Sequence, residues 1–262
     1  MKPVMEVRRL DMNFGGLKAL SKLDLQVSGG EIVAVIGPNG AGKTTFFNCL
    51  TGIYPPTGGD ILVCPPGKKN KRVNGMKTHR IAALGIARTF QNVRLFPRMT
   101  VLENVMVGRH CRTRAGVVGA IFRGKKTREE EKNIVSQSYA LLQKIGLSSS
   151  VNELAENLPY GAQRRLEIAR ALAAEPFLLL LDEPAAGLNP QETQELEALI
   201  RRLRTEGGLA ILLIEHDMKL VMSLCDRICV MDYGEKIAEG SPAAMRANPL
   251  VISAYLGEDE HA

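Results

Sequence analysis

Three stretches of the chain are apolar with almost no interruption: Glu31–Ile36 (EIVAVI), Phe177–Glu183 (FLLLLDE) and Leu209–Asp217 (LAILLIEHD). Continuous rather than alternating apolar character predicts strands covered on both faces. Helical periodicity follows each: Lys43–Leu50, Gln191–Arg204 and Met218–Leu224. Strand then helix, repeated, predicts βαβ units and a parallel sheet. Near the start, Met5–Phe14 (MEVRRLDMNF) and Leu23–Val27 (LDLQV) read as an antiparallel edge, and Arg227–Gly240 reads as a hairpin turning at Tyr233–Gly234. The middle is different. From about Val101 to Asn157 no strand signal stands out, Thr127–Leu147 has helical spacing that stops at Gly146, and Gly108–Arg128 is basic and broken by glycines. The pattern predicts an α/β domain with a helical insert.

Composition changes little in that picture. The 262 residues are 45% hydrophobic and 24% charged, ordinary for a globular protein. No window approaches the run of apolar residues that a membrane span needs, and the N-terminus has no apolar core of a secretory signal, so a cytoplasmic location is expected. Five cysteines without a C-x-x-C pair are expected to be reduced. Cys225 and Cys229 share a helical spacing, but no histidine lies near in sequence, which favours packing over zinc. The net charge of +6 fits nucleic acid, a membrane surface or a phosphorylated ligand, and does not choose among them.

The chemistry lies in short motifs. Gly37–Thr45 (GPNGAGKTT) fits G-x-x-x-x-G-K-[ST] between a strand and a helix. Gly37, Gly40 and Gly42, with Pro38, Asn39 and Ala41, form a loop whose backbone N–H groups turn toward phosphate oxygens. The helix that follows adds its positive end. Lys43 is expected to reach the β- and γ-phosphates and the Thr44 hydroxyl to ligand Mg²⁺, with Thr45 beside it. Phe177–Glu183 delivers Asp182 and Glu183 to the carboxyl end of a buried strand, where α/β sheets place ligands. Asp182 is expected to hold Mg²⁺ and Glu183 to orient the attacking water. Adjacent buried carboxylates are costly without a cation nearby. His216 ends another apolar strand, as a γ-phosphate sensor or as a core histidine with a partner. Gln91 lies where the strand-rich part meets the insert. It can touch Mg²⁺ or water there, although glutamine in a loop says little by itself.

This motif set, in this order, resembles the nucleotide-binding subunits of ATP-binding-cassette (ABC) transporters over nearly the whole chain. Gly37–Thr45 matches the Walker A loop, Gln91 the Q-loop, Leu158–Gln163 (LPYGAQ) the signature, Leu178–Pro184 the Walker B strand, Ala186–Pro190 (AGLNP) the D-loop, and His216 the switch histidine. The runs RTFQNVRLFPRMTVLENV, YGAQRRLEIARAL, LDEPAAGLNPQET and LLIEHDMKLVM resemble the LivG-type ATPases of branched-chain amino acid importers more closely still.

The resemblance implies a P-loop NTPase (RecA-like) parallel-sheet core, residues 1–92 and 173–262, with a helical subdomain over 93–172. It implies ATP and Mg²⁺ as the bound groups and Phe14 as the aromatic that stacks on adenine, a role that needs the ring and not a hydroxyl. Pro159, Tyr160, Gly161, Ala162 and Gln163 would face ATP held by a second cassette, a LivF-like partner or another copy. Gly187, Leu188 and Asn189 would also lie at that contact. Two integral membrane subunits and a periplasmic or lipid-anchored binding protein complete the implied complex, on the cytoplasmic face of the membrane and with no nucleic acid. The same cassette type also serves urea or amide and lipopolysaccharide transport. Soluble ABC proteins that act on ribosomes or DNA usually carry two cassettes or a coiled-coil insert, and this chain has neither. By the family pattern, Gln91–Val105 is the coupling surface, while the basic stretch Arg109–Arg128 is open to lipid or subunit contact or to plain solvation.

Two departures stand out. Pro159 stands where the family usually has serine, removing a hydroxyl and an N–H together, a loss of roughly 0.5–1.5 kcal/mol for a neutral hydrogen bond and more for one to a charged group. Asn189 stands where aspartate is common. It keeps an acceptor and drops the charge.

Overall fold

The computed structural model describes residues 2–109 and 125–256. The chain divides into two compact units, one formed by Met1–Arg88 with Phe177–Ala262 and the other by Thr89–Pro176.

The first unit holds ten strands among the described residues: β1 Pro3–Phe14, β2 Leu17–Ser28, β3 Ile32–Ile36, β4 Gly58–Val63, β5 Lys71–Arg72, β6 Ile86–Arg88, β7 Leu178–Asp182, β8 Ala210–Ile214, β9 Arg227–Asp232 and β10 Glu235–Gly240. They form two sheets, ordered β2-β1-β4-β5 and β10-β9-β3-β8-β7-β6. In the larger sheet, β9, β3, β8, β7 and β6 run parallel, and β10 returns antiparallel to β9 through the expected turn. Every residue of β3, β7 and β8 is buried, as continuous apolar strands covered on both faces should be. β2 instead alternates buried and exposed positions along Leu23–Val27, the pattern of a sheet with one wet face.

The antiparallel element near the start is larger than an edge. β1 and β2 are twelve residues each and build their own sheet with β4 and β5. The inner faces of the two sheets and the helix Lys43–Leu50 share one core, in which Leu10, Leu23, Phe46, Phe47, Leu180 and Leu212 are wholly buried. Each such side chain contributes roughly 1.5–3 kcal/mol.

Helices Lys43–Leu50 and Met218–Leu224 fall where the periodicity puts them, and Pro190–Gly207 extends beyond Gln191–Arg204 at both ends. The extension has a local cause. Asn189 caps the helix in a reciprocal box with Glu192, at 3.0 Å in each direction, and Pro190 occupies the first turn. The third apolar stretch leaves the sheet at Ile214, so Glu215–Asp217 form a connection rather than the end of the strand. Cys225 and Cys229 do not share a helix: Cys225 closes Met218–Leu224 and Cys229 lies on β9. Burial pushes the thiols of Cys49 and Cys225 up to about 12 and that of Cys229 up to about 11, consistent with packing residues.

The second unit contains helices Val101–Gly108, Lys125–Lys144 and Tyr160–Leu172 among the described residues. Val101–Gly108 is a helix the periodicity did not reveal, and Thr100 with Glu103 gives it a capping box. Of the basic stretch, Arg109 pairs with Glu175 at 2.9 Å, and residues 110–124 lie outside the described residues. No helix among the described residues is long and apolar enough to cross a membrane.

Candidate functional site

β3, β8 and β7 are parallel neighbours, so the segments that follow them emerge along one edge of the sheet, where α/β sheets place ligands. After β3 the chain turns through Gly37–Gly42 into the helix Lys43–Leu50. Gly37 has φ +151°, and a Cβ there would lie 2.0 Å from the Met231 carbonyl oxygen; Gly42 has φ +96°, and a Cβ would lie 2.7 Å from the Ala19 carbonyl. Both positions therefore require glycine. Within the loop the Ala41 N–H donates to the Pro38 carbonyl. Asn39 and Gly40 are exposed, and Pro38, Gly42 and Thr45 are partly so. The helix start has no side-chain cap hydrogen bond, and a helix N-terminus that follows such a loop is suited to anions.

Lys43 is buried, and its Nζ donates to the carbonyls of Gly37 and Pro38 at 2.5 and 2.8 Å. These bonds curl the ammonium over the loop that it would serve when phosphates are bound. Thr44, next in the helix, is exposed. The turn of the β9–β10 hairpin braces the loop, since the Gly234 N–H donates to the Ala41 carbonyl and its own carbonyl accepts from Ser21. Beside the loop, a cavity of about 720 Å³ has Pro38, Tyr233, Leu250 and Ser253 in its walls.

At the end of β7, Asp182 is buried, and its Oδ2 accepts from the Arg88 guanidinium at 2.7 Å. Glu183 follows with φ +47°, a left-handed conformation that costs an L-residue on the order of 1–2 kcal/mol. Its N–H is held by the Ile214 carbonyl on β8 at 2.9 Å, which keeps the turn in place. The side chain meets His216: Nε2 and Oε1 are 3.1 Å apart, with the histidine 43% and the glutamate 19% exposed. An imidazole protonated at Nε2 donates to the carboxylate in this pair. His216 thus has a partner, and that partner is the glutamate singled out as the water-orienting group.

Beyond Glu183, Gly187 is exposed with φ +78°, Leu188 is partly buried, and Asn189 is exposed as the helix cap already described. An aspartate would fill that cap equally well, so the Asn189 side chain has a local role within this unit. Phe14 ends β1, 41% exposed, with its ring edge-on to Tyr54 at 5.2 Å between centroids.

Gln91 and the signature belong to the second unit. Gln91 is exposed, and its carbonyl accepts from Arg164 at 2.6 Å. Pro159 is the cap residue of helix Tyr160–Leu172 and provides no side-chain bond to it. Tyr160 is exposed, Gly161 and Ala162 are buried, and Gln163 donates to the Leu158 carbonyl at 2.9 Å.

Four functional candidates escaped the sequence. Glu215, almost wholly buried, accepts the N–H groups of Ala185 at 2.7 Å, His216 at 3.0 Å and Asp217 at 3.4 Å. It thereby ties the turn that carries Glu183 to the connection that carries His216. Burial pushes its carboxyl up despite those three donors, and the Asp217 charge adds to the rise. Arg164 and Glu167, both 1% exposed and 3.2 Å apart, hold the backbone around Gln91 from both sides: Arg164 donates to the Phe90 and Gln91 carbonyls, and Glu167 accepts from Phe90 and Arg94. Arg88 is the fourth. Its signal, a basic residue on a three-residue strand, was too short to read.

A family model described as ABC transporter matches residues 20–186, and one described as branched-chain amino acid ATP-binding cassette transporter matches residues 235–261, the segment that supplies one wall of the cavity beside the loop. The high-affinity branched-chain amino acid transport ATP-binding protein LivG of Escherichia coli strain K12 is 49% identical over 98% of this chain and 99% of its own length. BraF of Pseudomonas aeruginosa, with the same description, is 48% identical over the same shares. A crystal structure of an ATP-binding cassette of an ABC transporter in its ADP conformation superposes with a TM-score of 0.84, at 30% identity, over 98% of this chain and 100% of that one. With the phosphate loop, the paired strand ends and these relatives in agreement, the chain belongs to the ABC transporter family, in the branch that holds the LivG and BraF ATP-binding proteins.

Proposed function

We propose that this chain is the ATP-hydrolysing subunit of an importer of branched-chain amino acids, working at the cytoplasmic face of the membrane with a second cassette and two membrane subunits. The observation that carries the catalytic part is the Glu183–His216 pair, 3.1 Å apart on the segments leaving β7 and β8, beside the strand that feeds the phosphate loop. The cargo rests on the relatives: LivG and BraF are named for branched-chain amino acid transport.

In the reaction, the loop N–H groups and the helix end bind the β- and γ-phosphates, and Lys43 leaves the carbonyls of Gly37 and Pro38 to join them. The exposed Thr44 hydroxyl and the Asp182 carboxylate are hard oxygen donors, the kind that suits Mg²⁺ alongside phosphate oxygens. Bound there, the ion would neutralise charge on the phosphates. Glu183 accepts a hydrogen bond from the attacking water and aligns it, while His216 fixes the carboxylate and can turn its ring toward the γ-phosphate. Gln91, Phe14 and the segment Pro159–Gln163 keep the family roles of water or metal contact, adenine stacking and recognition of ATP on the second cassette. A LivF-like second cassette and a periplasmic or lipid-anchored binding protein complete the proposed assembly.

Replacing Glu183 with Gln should abolish turnover while ATP stays bound; hydrolysis at the wild-type rate would defeat the role of Glu183. For the cargo, the chain reconstituted with its membrane subunits should hydrolyse ATP faster with leucine and a binding protein present. Stimulation by another solute and by no branched-chain amino acid would overturn that part alone.

A further inference from the structure

Asp182 is 5% exposed, and a buried carboxylate needs a cation or several donors to be tolerated. A cation that meets it is Arg88, itself 6% exposed. Its fork is divided. Nη2 donates to Asp182 Oδ2 at 2.7 Å, and Nη1 donates to Asn48 Oδ1 at 2.7 Å and to the Thr51 hydroxyl at 3.3 Å. The guanidinium carbon also lies 5.4 Å from the centre of the Phe47 ring. Asn48 and Phe47 are on the helix that starts at Lys43, and Thr51 closes it. Arg88 ends β6, whose neighbour is β7. One guanidinium therefore joins the phosphate-loop helix to the aspartate of the adjacent strand. Lysine, with a single ammonium, cannot hold both.

We propose that Arg88 is a positioning residue: it is the resident counter-cation of Asp182, and by competing for that carboxylate it sets how tightly the site holds a divalent metal. The inference rests on the reading of Asp182 as a metal ligand. Without metal, Arg88 neutralises Asp182 and lets the emptied site stay folded. A metal that uses Asp182 must share the carboxylate with a guanidinium already bonded to Oδ2, and it feels the repulsion of that charge. Divalent metal is therefore held more weakly than the carboxylate alone would hold it, and its loss leaves no uncompensated buried charge.

The test uses the full chain with ADP, and Mn²⁺ as the probe, its free form read by electron paramagnetic resonance. Thermal melts without metal or nucleotide accompany it. Arg88→Met, which keeps length and removes charge, should lower the metal-free melting temperature by several degrees and tighten Mn²⁺ binding about tenfold, equivalent to about 1.4 kcal/mol. Arg88→Lys keeps the charge and gives up one end of the bridge, so it folds more readily and should tighten binding about threefold. Asp182→Asn should weaken Mn²⁺ binding and abolish the gain from Arg88→Met in the double variant. Unchanged Mn²⁺ affinity in both Arg88 variants, with Asp182→Asn still weakening it, overturns the inference and leaves the metal role of Asp182 standing. An equal gain with and without Asp182 also overturns it, because the effect would then be long-range charge. If Asp182→Asn leaves Mn²⁺ binding untouched, the metal reading of Asp182 fails, and the inference falls with it.

Discussion

The buried pair Arg164–Glu167 offers a large single-residue effect in the second unit. Both side chains are 1% exposed. Arg164 donates to the Phe90 carbonyl at 2.8 Å, the Gln91 carbonyl at 2.6 Å, Glu167 at 3.2 Å and the Tyr160 hydroxyl at 3.3 Å. Arg164→Met fills similar space and removes the charge and all four of these hydrogen bonds at once. Glu167 is then left as a buried anion, and breaking a buried pair in this way costs about 3–5 kcal/mol. The lost carbonyl bonds belong to the same network and are not added separately. For a chain of this size each kcal/mol moves the midpoint by about 2–4 °C, so the melting temperature should drop by about 6–20 °C. Thermal melts followed by far-UV circular dichroism measure it. Hydrogen exchange of Tyr160–Leu172 and of the Phe90–Arg94 amides then shows whether the loss is local to this unit, since two units can unfold separately. The double variant Arg164→Met with Glu167→Leu should regain at least half of the loss, because neither charge remains to be buried. A single-variant shift below about 2 °C, or a double variant as unstable as the sum of the two singles, would refute the reasoning.

Two shorter predictions concern Glu215 and Pro159. Burial raises the Glu215 carboxyl, so over the interval above the ordinary carboxylate range the folded state binds more proton than the unfolded one, and that stability is lost as pH rises through the raised value. Glu215→Gln removes this dependence: the melting temperature of wild type minus that of the variant should fall as pH rises from about 4 to about 8, and a flat difference would contradict the burial argument. Pro159→Ser adds the cap that helix Tyr160–Leu172 lacks, a gain of about 0.5–2 kcal/mol less the proline's rigidity of about 0.4–1. In a Glu183→Gln background the same hydroxyl should make the chain dimerise at lower ATP, measured by size-exclusion chromatography; dimerisation at unchanged ATP would deny Pro159 any role in closure.

What could be read from the sequence was local. The proposed phosphate loop Gly37–Thr45 is made of consecutive residues, and the buried strands β3, β7 and β8 declare themselves by unbroken apolar runs. The parts that escaped join residues far apart in the chain. Arg88 meets Asp182 across 94 positions, Glu215 reaches back 30 to Ala185, and Arg164 reaches 73 to Gln91. Neither partner announces the other, because an arginine on a short strand and a glutamate before a histidine are each common on solvated surfaces. The left-handed backbone at Glu183 is equally silent, since glutamate carries no preference for it. The sheet β2-β1-β4-β5 was only half visible for a related reason: β4 holds two glycines and β5 is two residues long.

Burial also sharpens the choice of the water-orienting group. The argument that buried carboxylates need a cation applied to Asp182 and Glu183 together, and the structure separates them. Asp182 is met by a buried guanidinium, Glu167 by another, and Glu215 by three backbone N–H groups. Asp182 is held by a buried cation, and Glu167 and Glu215 also fix backbone. Glu183 is met by an imidazole that is itself 43% exposed, on a turn whose left-handed residue is held by one strand bond. An imidazole can give up the carboxylate oxygen at little cost and take it back, whereas a buried guanidinium leaving its partner exposes an uncompensated charge. Of the four carboxylates, Glu183 therefore has the side-chain partner that best suits the water-orienting role we propose for it.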